Sequence, residues 1–233
     1  MYAVLFDIDG TLVQTGGAGQ LAFAETFAQE FGVPQISKAV GFAGRSDRAI
    51  ALDLFRAHGL PTSEEAWQRF RAGYLKRLPQ ALERRTGHVL PGVGQLLAAL
   101  ESLPHALVGL LTGNVREGAA RKLAYYGLDG HFAFGGFGDE STDRNEIAAV
   151  ALAAAQQQAT HLLGRPAPLR GAMVLGDTIH DIRCARSIGA VAIAIPTGGT
   201  PREELAAERP DILVDDLSDA SAILGILADA QAA

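Results

Sequence analysis

Ala3-Val4-Leu5-Phe6-Asp7-Ile8-Asp9-Gly10-Thr11-Leu12-Val13 decides how the rest of the chain is read. Four apolar residues run straight into two carboxylates, Asp7 and Asp9, and then into Gly10 and Thr11. A short apolar run closed by polar turn residues predicts a strand buried on both faces, as in a parallel sheet. In open α/β sheets ligands collect beyond the carboxyl ends of the strands. The stretch therefore delivers two acids to the edge where a ligand is expected. A strand followed by an acidic turn of no special purpose is the bland alternative, and the motif alone does not remove it.

Outward from this stretch, two regions differ in rhythm. Residues 16–86 carry no convincing strand and read as helices. Ala24, Phe27, Ala28 and Phe31 form one apolar stripe, ended by Gly32 and Pro34. Asp47 to His58 places Ile50, Leu54 and Ala57 at helical spacing. Ser63 is a candidate N-cap for a helix whose stripe is Trp67, Phe70, Tyr74 and Leu78. From Leu90 onward strands and helices alternate. Pro91 suits a helix start. Strands are expected at Ala106 to Leu111, His131 to Phe134, Ala172 to Leu175, Val191 to Ile195 and Ile212 to Val214. Helices are expected at Arg116 to Tyr126, Glu146 to Gln158, His180 to Ile188, Pro201 to Glu208 and Asp219 to Ala230. This pattern predicts an α/β fold, a doubly wound and mainly parallel Rossmann-like sheet with right-handed crossovers. The expected division is a core of residues 1–15 and 87–233 with an α-helical cap, residues 16–86, inserted after the first strand.

Composition narrows the function. The chain has 233 residues, 48% of them hydrophobic, enough for a substantial core. A net charge of −6 argues against a general nucleic-acid surface. Neither a basic, apolar leader nor a run of about 18 apolar residues is present, so neither secretion nor a membrane span is expected. Cys184 is the sole cysteine, which excludes an intramolecular disulfide and reads as a small buried apolar residue. A cytoplasmic location is the resulting expectation.

Three strands end in polar residues of one kind. The first ends in Asp7 and Asp9, the second in Thr112-Gly113-Asn114, the fourth in Asp177, with Thr178 and Asp181 beyond it. A parallel sheet brings these ends to one edge. Crowded carboxylates repel unless a cation joins them, and oxygen ligands suit magnesium. Helix N-termini near Asn114 and Thr178, with the Thr112 hydroxyl, would hold an anion. A cation, an anion site and a carboxylate nucleophile together suggest phosphoryl transfer through an aspartyl phosphate.

Asp7-Ile8-Asp9-Gly10-Thr11, Leu111-Thr112-Gly113-Asn114 and Gly176-Asp177-Thr178-Ile179-His180-Asp181 resemble, in order and spacing, the signature motifs of the haloacid dehalogenase superfamily. The resemblance covers essentially the whole chain and is of the phosphoglycolate-phosphatase-like kind, with a helical cap after the first motif. It implies a magnesium-dependent phosphatase acting on a small phosphorylated metabolite. Asp7 would be the nucleophile and a metal ligand. Asp9 would be the general acid and base, with its backbone carbonyl on the metal. Asp177 would complete the protein ligands, with Asp181 and Thr178 behind it. Thr112, Gly113 and Asn114 would hold the phosphoryl group. The family usually places a Lys before the strand of the last motif. Here Asp143-Arg144-Asn145-Glu146 stands there, so Arg144 is assigned that role, with Lys122, which lies well inside a helix, as the runner-up. In the cap, Gly44-Arg45-Ser46-Asp47 resembles a loop by which related caps reach the site, making Arg45 a candidate substrate contact. Its alternative is a helix start capped by Ser46 or Asp47. Thr11 reads as a local loop-fixing hydroxyl and His180 as a bystander. A phosphosugar mutase shares all the core residues and is the enzymatic alternative. A non-catalytic phosphate-binding relative is the other, and the intact Asp7/Asp9 pair argues against it. The residues name neither the substrate nor the oligomeric state.

Overall fold

The computed structural model describes residues 1–139 and 141–232. In chain order, β1 (Tyr2–Phe6) and the two-residue β2 (Val13–Gln14) precede three helices, α1 (Ala18–Phe31), α2 (Asp47–Ala57) and α3 (Glu64–Arg84). β3 (His88–Val89) returns to pair antiparallel with β2. Then follow α4 (Val93–Glu101), β4 (Ala106–Leu111), α5 (Arg116–Tyr125), β5 (Gly135–Gly136), α6 (Arg144–Leu163), β6 (Gly171–Gly176), α7 (Ile179–Ser187), β7 (Val191–Ala194), α8 (Arg202–Ala207), β8 (Ile212–Leu213) and α9 (Ser221–Ala232). The six-stranded sheet has the order β5-β4-β1-β6-β7-β8, and all its pairings are parallel. This is the doubly wound α/β fold expected from the alternation. β1 lies between β4 and β6, in register with both: Phe6 is level with Leu110 and Leu175. The strand order reverses beside β1, which makes the crevice there the ligand-binding position of such sheets.

Every residue of β1 is buried because helices cover both faces. Tyr2, Val4 and Phe6 point into a core with Leu96, Leu97 and Leu100 of α4 and Ile223 and Leu227 of α9. Ala3 and Leu5 point the other way, onto Ala148, Ala151 and Ala155 of α6 and Ala185 of α7. The alternation follows from the two-residue period of a strand. A third core, built from Phe23, Phe27, Phe55, Trp67, Phe70 and Tyr74, belongs to α1–α3. No described helix is long and apolar enough to cross a membrane.

Several local expectations change. The third strand is not His131 to Phe134 but Gly135–Gly136, preceded by a 3₁₀ turn at Asp129–His131. Glycines are poor strand formers by propensity, yet here they are required. A Cβ on Gly136 would overlap the Ile147 carbonyl of α6, so only glycine lets helix and strand approach this closely. The buried face of α1 centres on Phe23 and Phe27, one residue round from the expected stripe. Ala57 is exposed, because α2 buries Ile50, Ala51, Leu54 and Phe55 instead. Pro91 precedes the Gly92 N-cap of α4 rather than opening the helix.

Candidate active site

The site grows from the end of β1. Asp7 extends the sheet by one more bond, its N–H donating to the Leu175 carbonyl at 3.0 Å. The chain then turns tightly: Leu12 and Val13 donate back to the Ile8 carbonyl, and Gly10 donates to the Val13 carbonyl at 2.9 Å. Gly10 has φ +88°, and a Cβ there would stand 2.6 Å from both Asp177 Oδ2 and the Gly198 Cα. Backbone conformation and close approach both demand glycine at this position. Thr11 donates its hydroxyl to Asp177 Oδ1 at 3.4 Å, tying the turn to the end of β6.

Asp7 and Asp9 are two residues apart but serve different neighbourhoods. Asp7 is buried with Asp177 and Asp181, and each offers an oxygen within 4.8 Å of the others. Arg144, at the start of α6 and only 8% exposed, reaches into this group. Its guanidinium pairs with Asp181 Oδ1 and lies 3.7 Å from Asp7 Oδ1. Asp181 is fully engaged, since its Oδ2 accepts from the Thr178 N–H at 3.1 Å and the Thr178 hydroxyl at 2.6 Å. These last bonds also fix the first turn of α7, a capping arrangement. Asp181 thus enters the acidic group as closely as Asp177 does, but with both oxygens already used.

Three buried carboxylates share one guanidinium, and their protonation reflects it. Burial, then the Asp181 and Asp9 charges, push Asp7 up to about 7 against the pull of Arg144. Burial and the charges of Asp181, Asp7 and Asp9 push Asp177 up to about 9. The group therefore lacks positive charge, and its all-oxygen donor set fits a hard divalent cation such as magnesium. A stability consequence follows. Carboxylates raised in the folded state hold protons that the unfolded chain has already released. Metal-free protein is therefore expected to lose stability as pH rises from about 4, the ordinary carboxylate range, through about 7 and on to about 9. Thermal melts across that window, with and without magnesium, are the measurement. Magnesium should flatten the slope, and so should Asp177→Asn; identical slopes in all three would discard charge crowding as the cause.

Asp9 is turned the other way and is more open, its side chain 39% exposed. Its Oδ2 accepts from Lys122 Nζ at 2.5 Å and from Asn114 Nδ2 at 2.8 Å. Lys122 also donates to Asn114 Oδ1 at 2.6 Å, which closes a three-membered ring of hydrogen bonds. Thr112 lies beneath, wholly buried, and its Oγ1 accepts from Asn114 Nδ2 at 2.8 Å. Gly113 and Asn114 line the cleft directly.

Lys122, the runner-up to Arg144 because of its position well inside α5, is buried and reaches the cleft. Helical side chains lean toward the N-terminus of their helix, and α5 begins at the cleft. The available signal was a lysine on a face otherwise made of buried Ala119 and Leu123. The structure thus sets Arg144 beside Asp7 and Asp181, and Lys122 beside Asp9.

Helices α1–α3 roof a cleft of about 310 Å³. The loop before α2 seats on the sheet edge. A Cβ on Gly44 would overlap the His180 ring at 2.5 Å and Thr178 Oγ1 at 2.7 Å, so His180 packs directly against this loop. Asp47 donates its N–H to the Gly113 carbonyl at 2.7 Å, while its carboxylate accepts from the Val115 N–H at 2.9 Å. Ser46 caps α2, accepting from the Ala49 N–H, which frees Asp47 for this bond to the start of α5. Asp47 was legible only as a cap for its own helix. Arg45 lines the cleft, but its guanidinium is held by Asp53 Oδ2 at 2.5 Å and by the Gly41 carbonyl at 3.3 Å.

Both the sequence and the fold have known relatives. A family model described as haloacid dehalogenase-like hydrolase matches residues 4–186. Phosphoglycolate phosphatase from Synechococcus elongatus is 31% identical over 227 residues, covering 94% of this chain and 95% of that protein. In fold, CbbY from Rhodobacter sphaeroides, solved in complex with phosphate, aligns with a TM-score of 0.72 at 20% identity over 94% of this chain and 96% of that one. A hydrolase from Pseudomonas syringae aligns at 0.70 with 22% identity over 98% and 99%. The match spans both the sheet with its acidic edge and the helices above it, and the chain belongs to the haloacid dehalogenase-like hydrolase family.

Proposed function

We propose that this hydrolase is a magnesium-dependent phosphatase that cleaves a small phosphomonoester through an aspartyl phosphate on Asp7. The observation that carries the reading is the separation of Asp7 from Asp9. One carboxylate sits in a buried acidic group beside a guanidinium, the other in a more open place beside an ammonium. That arrangement suits two different tasks. The name of the Synechococcus elongatus relative points the same way.

In this reading Asp7 and Asp177, with the Asp9 backbone carbonyl, would hold magnesium, while Arg144 and Thr178 keep Asp181 oriented behind them. The ion when bound supplies neutralising charge for the carboxylates and the phosphoryl oxygens. An Asp7 oxygen attacks phosphorus, and the ester P–O bond breaks. Asp9 gives its proton to the departing oxygen, so the product leaves as an alcohol. Asp9 then takes a proton from water, which attacks the same phosphorus. The Asp7 C–O–P link breaks at phosphorus, and inorganic phosphate and the free carboxylate result. Arg144, with the Thr112 hydroxyl and the amides near Gly113 and Asn114, would hold the phosphoryl oxygens. Residues 16–86 act as the cap, which excludes water once substrate is bound. Arg45, held by Asp53 and the Gly41 carbonyl through two of its five N–H bonds, has donors left for an anionic part of the substrate. A cleft of about 310 Å³ restricts the substrate to small metabolites.

Phosphate release from a panel of phosphorylated metabolites tests the reading. Hydrolysis is expected with magnesium and is expected to vanish in excess EDTA. Turnover that ignores chelation, or phosphate that moves within a sugar phosphate without release, would overturn it.

A further inference from the structure

One buried group in the cleft has no task in the steps above. Tyr74, on α3, is 1% exposed, its ring packed 4.9 Å from Phe23 and stacked on Phe70. Its hydroxyl has no hydrogen-bond partner among the described residues, although the side chain lines the cleft. A buried hydroxyl left unpaired is costly, and such groups call for an explanation.

Gly19, near the start of α1, marks the space that this hydroxyl faces. A Cβ placed there would stand 3.5 Å from Lys122 Nζ and 3.9 Å from the Tyr74 hydroxyl oxygen. The absent side chain thus leaves a gap bounded by two donors. Lys122 has three N–H bonds and uses one on Asp9 and one on Asn114, so one is left. Tyr74 keeps its proton, because burial and the Asp47 and Asp9 charges hold the phenol well above its ordinary value. The phenol can donate its proton and Lys122 has an N–H to spare, so an oxygen placed in the gap can accept from both.

We propose that the space between Tyr74, Lys122 and Gly19 is the leaving-group subsite, and that it takes an acceptor oxygen carried by the substrate close to its ester oxygen. Closeness follows from Lys122, which bounds the gap and is bonded to Asp9, the group that would protonate the departing oxygen. The substrate class is then a short phosphomonoester bearing a carboxylate, carbonyl or hydroxyl oxygen, as distinct from a plain alkyl phosphate. The proposal rests on the phosphatase reading.

Three esters of similar size separate the outcomes: 2-phosphoglycolate, 2-hydroxyethyl phosphate and ethyl phosphate, each assayed with magnesium. The wild-type protein is expected to favour at least one oxygen-bearing ester over ethyl phosphate by tenfold or more in kcat/KM. Tyr74→Phe keeps the ring and its packing, and should cut that ratio about fivefold or more, mainly through KM. Gly19→Ala, which fills the gap without harming a helix, should cut it at least as far. No wild-type preference, or a ratio unchanged in both variants, overturns the subsite. If the wild-type protein hydrolyses none of the three, nor p-nitrophenyl phosphate, the phosphatase reading itself fails. A preference for the carboxylate over the hydroxyl, or the reverse, says which oxygen the subsite takes.

Discussion

Asp7→Asn is expected to lower magnesium-dependent phosphate release by about four orders of magnitude or more, the scale seen when a nucleophile that works within a unit is removed. An amide has no anionic oxygen with which to attack phosphorus. The substitution is nearly isosteric, so packing around the end of β1 stays intact. Stability should not suffer and is expected to rise in metal-free buffer, because one of three crowded carboxylates loses its charge. Opposite signs for activity and stability make the test sharp. Steady-state phosphate release and a urea titration on the same preparation measure both. Activity close to wild type would eliminate Asp7 as nucleophile. A large loss of stability would mean that Asp7 is chiefly structural.

The second large effect concerns Arg144. Its guanidinium is 8% exposed, pairs with Asp181 and faces Asp7. Arg144→Met preserves much of the side-chain volume but leaves three carboxylates with no cation among them. Removing one partner from a buried ion pair costs about 3–5 kcal/mol, because the remaining charge is left uncompensated. In metal-free buffer the urea midpoint should fall accordingly, and saturating magnesium should restore part of the loss by binding the folded form. Activity should drop about a hundredfold or more, since the phosphoryl oxygens lose a charged donor as well. Arg144→Lys is expected to recover stability better than activity, because an ammonium keeps the charge but not the forked geometry. Near-normal turnover in Arg144→Met would remove this residue from the site and leave Lys122 as the cation that matters.

The features read most directly from sequence share a short range. The strand ending in Asp7 was legible because four apolar residues meet two acids within a single turn. Gly10 follows the two acids in the same stretch, and the structure puts Asp177 and Gly198 against it. The Trp67, Phe70, Tyr74 and Leu78 stripe was legible because a 21-residue helix repeats its period several times. β2 and β3 were not, since two residues carry no period. Gly135–Gly136 ran against propensity, because the demand for glycine there comes from α6, a different part of the chain.

Within the site, residue types were legible and partners were not. Asp47 reads as the first residue of a helix, and only the seating of α2 on the sheet turns its carboxylate to Val115. Tyr74 reads as one more member of an apolar stripe. That its hydroxyl stands unpaired in the cleft depends on how α3 is rotated against α1. Lys122 reads as a helical lysine, and its meeting with Asp9 depends on where α5 starts relative to β1.

The sequence by itself determined the alternation of strands and helices beyond Leu90, the acids at one sheet edge and the family to which the chain belongs. Each of these rests on residues close together or on a repeated period. The tertiary structure alone decided which acid faces which cation and which hydroxyl is left without a partner. Those pairings join residues far apart in the chain, more than a hundred positions in Asp9 with Lys122 and Asp7 with Arg144. Their direction is set by strand register and helix rotation, which no local pattern encodes.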